Sequence, residues 1–282
     1  MRLQWKRIGQ LAGMVTPAGP VTSEPVANAA VLRVRRASDW ASTRAPRFSL
    51  LATASAEPPL VVDRVGLTHA LIGTVSRAQT DPTLGAKFGQ ALALARSTRQ
   101  LSEFLPLSWL FENGRVRRLL VAPNIWETAT TRRLDQDDYA RLVAARGLLW
   151  DSLFGASPWL ADRLLSQLVA SPESRGNSVQ VAVLFHRLVE SQLERFTPRT
   201  IPSINWLRDK DPLTFLRMLK IISGASMLEL ADLSDRMQHF VREADFSGHP
   251  RAFWALLQDP TNFPTEHELE DPSLWRGRLG YG

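Results

Sequence analysis

The 282-residue sequence predicts an α+β fold in three parts. A basic, β-rich N-terminal module spans 1–134, an antiparallel helical bundle spans 135–258, and an irregular, extended tail spans 259–282. Three observations carry this reading. The hydrophobic period changes from about 2 to about 3.6 near residues 131–136. An Asn113-Gly114 pair sits between two β-prone runs. Charge divides at the same place: residues 1–134 hold 16 Arg and 2 Lys against 8 acids, a net of +10, while the remainder nets −4.

Residues 16–28, with Pro17, Gly19 and Pro20, read as a loop. Ala30 to Arg36 alternates, Leu32 and Val34 on one face and Arg33 and Arg35 on the other, which reads as a half-buried strand with a cationic outer face. Two more strands are expected at 47–53 and 60–65, punctuated by Glu57-Pro58-Pro59. Leu67 to Gly73 fits strand or helix. Asp81-Pro82 is a helix start, because proline at the first helical position gives up no hydrogen bond. Asn-Gly supplies the two positive φ angles of a tight hairpin turn. It sets a register in which Glu112 faces Arg115, Phe111 faces Val116, Leu110 faces Arg117 and Trp109 faces Arg118.

From Asp135 the pattern is helical. Helices are expected from Asp135 or Asp137 to Gly155, after Ser157-Pro158, from Ser178, after Asp211-Pro212, from the Ser226–Glu229 capping box, and from Pro250. Short connections between amphipathic helices imply antiparallel neighbours. No repeat of fixed period is present.

The chain contains no cysteine, which excludes disulfides, thiolate metal sites and a cysteine nucleophile. No phosphate loop, dinucleotide fingerprint or metalloprotease motif occurs, and none of the five histidines is four residues from another. No cofactor or metal is expected. No apolar run is long enough for a membrane span, and the chain is read as cytoplasmic, with no membrane partner.

The candidate site is arginine beside an aromatic: Arg33, Arg35 and Arg36 on one strand, Arg115, Arg117 and Arg118 on a ribbon with Trp109, and Arg132 and Arg133 at the module's end. Guanidinium forks grip phosphates, and indoles stack on bases. The function expected on this basis is a non-catalytic nucleic-acid-binding subunit of a bacterial-type nucleoprotein complex, binding RNA or DNA. Its helical half and tail would dock on a protein. Two alternatives stand beside it. One is a protein–protein interaction module without nucleic acid. The other is a nuclease, using His69 without metal or Asp135, Asp137 and Asp138 with magnesium.

Overall fold

The computed structural model describes residues 9–10, 12–14, 16–17, 19–20, 22–47, 49, 57–78, 96–112, 115–169, 176–210, 214–246 and 248–281. Its first long element is a helix, α1 (Glu24–Arg44), where a loop and a strand are expected. Alternation over Leu32 to Arg35 is too short to separate a period of two from one of 3.6. The buried positions of the longer window, Ala30, Val34, Ala37, Ser38 and Ala41, lie on one helical face.

The described residues form a sheet of three strands in the order β1-β3-β2. β1 (Leu60–Val62) runs parallel to β3 (Arg115–Val121), and β2 (Leu107–Glu112) pairs antiparallel with β3. The β2–β3 register is the one the Asn-Gly pair implies, from Trp109 opposite Arg118 to Glu112 opposite Arg115. Strand β1 stops at Val62, and α2 (Arg64–Ala78) begins two residues later, so 67–73 is helical. The turn residues 113–114, the Asp81-Pro82 start and the strand expected at 47–53, Arg47 and Ser49 apart, lie outside the described residues. The N-terminal half is therefore not β-rich. The fold is helix-dominated α/β around one small mixed sheet.

Among the described residues β3 is the last strand, and helices follow it. α3 (Ala122–Thr131) leads to α4 (Gln136–Ala156), whose N-cap Asp135 accepts a 2.8 Å hydrogen bond from the Asp138 N–H. Then come α5 (Pro158–Val169), α6 (Gly176–Leu193), α7 (Ile204–Lys210) and α8 (Thr214–Ser223). The Ser226–Glu229 capping box opens α9 (Met227–Glu243), and Pro250 opens α10 (Pro250–Gln258). The terminal segment is not an extended tail. It forms α11 (Glu266–Glu270) and α12 (Pro272–Arg278), and the Trp275 indole is fully buried. Its ring lies 5.2 Å from that of Phe240, and its N–H donates to the Asn262 carbonyl at 2.7 Å. Counting Pro, Gly and acids missed a single aromatic anchor.

β3 separates two apolar clusters by strict alternation. Leu120 faces the large one, which reaches from Val34 on α1 to Trp275 on α12. Leu119 and Val121 face the small one, with Leu67, Leu101 and Leu105. α4 crosses the large cluster and is buried on nearly all sides, as expected of a helix apolar around its circumference. Among the described residues no helix is long and apolar enough to cross a membrane.

Candidate functional site

A central helix must account for each polar side chain it carries. Arg146 of α4 does so across a cavity of about 300 Å³ between α4 and α6, closed by β2, α8 and parts of α7 and α9. Its guanidinium forks onto both oxygens of Glu190 on α6, at 2.7 and 3.2 Å. Burial alone would raise the Glu190 pKa. The Arg146 charge and hydrogen bonds outweigh it, with the Arg187 charge adding to them, and hold the carboxyl below its usual range. Paired, bidentate geometry of this kind is what makes a half-buried carboxylate tolerable.

His186 sits one turn before Glu190, its Nδ1 3.9 Å from Glu190 Oε1. It stacks on Phe215 with ring centroids 3.9 Å apart and 14° between planes. Burial lowers its pKa to about 4, with Arg146 and Arg187 acting in the same sense and Glu190 opposing. It is neutral near pH 7, and Nδ1 is buried without a hydrogen-bond partner among the described residues. Trp150, one turn after Arg146, forms the aromatic wall with Phe215, Trp109 and Phe154.

Behind this wall, Arg118 passes from β3 beneath Gly147. A Cβ on Gly147 would lie 2.5 Å from Arg118 Cδ and 2.8 Å from Leu107 Cδ1, so only glycine fits here without displacement. The Arg118 guanidinium meets Asp151 at 3.1 Å, and Trp109 Nε1 donates to the same carboxylate at 3.2 Å. Burial raises the Asp151 pKa to about 6, against the pull of Arg118 and the Trp109 hydrogen bond.

The arginines expected to grip phosphates do not converge. Arg33 binds Asp137 and Gln136, at 2.9 and 2.7 Å. Arg35 and Arg36 are exposed on α1. Arg115 and Arg117 approach Glu57 at 3.5 and 3.8 Å. Arg118 is 3% exposed and out of reach of a backbone phosphate. Arg132 donates to the Lys210 carbonyl, and Arg133 takes a positive φ in the turn after α3. Trp109 is committed to the cavity wall. His69 is exposed on α2. The three aspartates diverge: Asp135 caps α4, Asp137 pairs with Arg33, and Asp138 binds Arg141 and the Ser203 N–H and hydroxyl. The cavity residues Arg146 and Glu190 escaped sequence reading, because only the fold brings α4 and α6 together, while His186, beside the apolar Phe185, reads from sequence as a packed or boundary histidine. The one local sign is the four-residue spacing of His186 and Glu190.

Comparison with known proteins changes the functional reading. A family model described as "Zincin-like metallopeptidase" matches residues 15–201. A solved structure from Chloroflexus aurantiacus, described as "a putative hydrolase with a novel fold", superposes with a TM-score of 0.69 at 15% identity. The match covers 99% of this chain and 98% of that one, and at this identity it establishes a shared fold. No curated protein matches the sequence. The family match names a peptidase scaffold, and the arginines do not converge on a phosphate site. Together these findings overturn the reading as a nucleic-acid-binding, non-catalytic subunit, which rested on a charge split that internal ion pairs partly absorb.

The zinc ion implied by the family's name does not suit the residues present. Zincins hold zinc on an H-E-x-x-H helix turn, and this sequence contains none. Among the described residues no three His, Asp or Glu side chains cluster as a metal site. In the cavity, Glu190 is taken by Arg146, and His186 is stacked flat on Phe215. With residues 15–201 matched, the chain belongs to the zincin-like metallopeptidase family, and its sequence lacks the H-E-x-x-H motif of zincins.

Proposed function

We propose that the α4–α6 cavity is the functional site of this chain. In this reading it receives a polypeptide segment, as a peptidase cleft would, without zinc-dependent cleavage. The carrying observation is the Arg146–Glu190 ion pair, which places a fixed cation on the one cavity carboxylate most suited to bind a metal. The remaining walls, with Trp109, Trp150, Leu142 and Phe215, suit an apolar side chain. Strand β2 is an edge of the described sheet and contributes Leu107 and Trp109 to the lining, which supports an extended peptide over a globular ligand.

The test combines three measurements on the purified protein. Elemental analysis is expected to give far less than one zinc per chain. Peptide hydrolysis is expected not to respond to added zinc or to a chelator. Tryptophan fluorescence is expected to shift on titration with extended peptides rich in Leu and Phe. Stoichiometric zinc with chelator-sensitive cleavage would sink the proposal.

One observation favours a second reading, hydrolysis without metal. His186 is unprotonated near pH 7 and its Nδ1 lies 3.9 Å from Glu190 Oε1, a histidine–carboxylate pairing that an enzyme can use in general-base catalysis, here with a weakly basic ring. Chelator-resistant hydrolysis that disappears in His186→Ala, with peptide binding retained, would select this reading.

A further inference from the structure

We infer that the α4 turn Arg146–Trp150 stands where a zincin carries H-E-x-x-H, with Glu190 in the place of the third metal ligand. This rests on the cavity being the family's cleft. The motif needs two side chains one turn apart on one helix, both facing the cleft, and a third ligand from elsewhere. Arg146 and Trp150 are four residues apart on α4, and both line the cavity. Glu190 supplies a carboxylate from the helix opposite and already meets the first of the two positions. The position after the first ligand belongs to the glutamate of the motif. Here it is Gly147, and the aliphatic stem of Arg118 crowds the space a side chain would need.

The exchanges are matched in chemistry. A zinc ion between α4 and α6 would neutralise Glu190, and the Arg146 guanidinium does this instead. An imidazole at 150 would point to the metal; Trp150 instead packs on Trp109, Phe154 and Phe215. The register is distinct from the neighbouring pair Leu142 and Arg146, because that pair would put the motif's glutamate at Val143, which is fully buried in the apolar core.

The experiment restores the ligands and reads metal, not activity. Arg146→His/Trp150→His is expected to bind one Co²⁺ or Zn²⁺ per chain, with the visible absorption of low-coordinate cobalt, where the wild type binds none. Adding Glu190→Ala is expected to weaken this by roughly tenfold or more. Leu142→His/Arg146→His is the register control and is expected to bind more weakly. Metal binding that ignores Glu190, or equal binding by the control, would overturn the register. If circular dichroism shows the double variant unfolded, Arg146→His alone decides: it should bind Co²⁺ weakly through Glu190, and no binding overturns the inference. Peptide titration of the wild type remains a separate measurement, so failure here and failure of the peptide-binding reading are told apart.

Discussion

Two partly buried titratable groups flanking the cavity act on stability in opposite directions over one acid range. Burial raises Asp151 from 3.8 to about 6, although Arg118 and the Trp109 N–H favour its charge. Burial lowers His186 from 6.5 to about 4, Arg146 and Arg187 assisting and Glu190 resisting. Between its two values Asp151 is protonated in the folded chain and ionised in the unfolded one, so rising pH removes stability. For His186 the unfolded chain holds the proton, so rising pH adds stability. Integrated from about pH 4.5 to about pH 6.5, each contributes about 2 kcal/mol, with opposite sign. The wild type is therefore expected to be nearly flat in this window. Glu190, held below its ordinary range, loses its contribution only under more acid conditions. Asp151→Asn removes the falling component, and stability should rise by about 2 kcal/mol across the window. His186→Phe keeps a ring against Phe215 and removes the rising component, and stability should fall by about as much. Urea denaturation at closely spaced pH values measures both slopes. Flat profiles in both variants, or slopes of one sign, would refute the reasoning.

Other perturbations probe the packing around the same helix. Gly147→Ala gains helix propensity of about 1 kcal/mol but drives a methyl into the anchored Arg118 stem. A net loss of about 1–2 kcal/mol in urea unfolding is expected, and a stabilised variant would show that Arg118 yields freely. Trp275→Ala should cost about 3–5 kcal/mol and expose the C-terminal helices to limited proteolysis, because this indole docks them on α9. Ser226→Ala removes one half of the α9 capping box and should lower stability by about 1 kcal/mol in thermal or urea melts.

The legible parts of the fold are those whose signals are local. Asp135 and Ser226 mark helix starts by side-chain capping, and both cap as expected. Asn113-Gly114 specified a cross-strand register that the β2–β3 pair adopts. What failed needed longer-range information. The pattern at 30–36 is decided by the face that α1 lays on α4, through Val34, Ala37 and Ala41. The terminal segment is ordered by Trp275, whose partners lie on α9 and the loop after it. Net charge was the most misleading signal. Arg33, Arg115, Arg117 and Arg118 each meet an acid remote in sequence, so a cationic count overstated the cationic surface. The cavity was illegible for the same reason, since Arg146 and Glu190 are 44 residues apart and meet only through the α4–α6 packing.

The state of Glu190 separates a damaged metal site from a rebuilt one. A cleft that had merely lost its imidazoles would keep a half-buried carboxylate with no cation, and its pKa would move up. Here both carboxylate oxygens are matched by one guanidinium, and the pKa moves down. The space beside Gly147 is filled by a second arginine with its own acid, Asp151, and the position one turn on from Arg146 is filled by an indole in contact with three other rings. Each change that removes a ligand type comes with a partner that satisfies what the ligand would have satisfied. Replacing Arg146 alone should therefore be harmful beyond the loss of one contact. Arg146→Met leaves the half-buried Glu190 unpaired in the cavity, with an expected cost of about 1–3 kcal/mol. Arg146→Met/Glu190→Gln, which removes both charges, should recover most of it. Additive losses in that double-mutant cycle would mean that the pair is incidental and that the site is a relic.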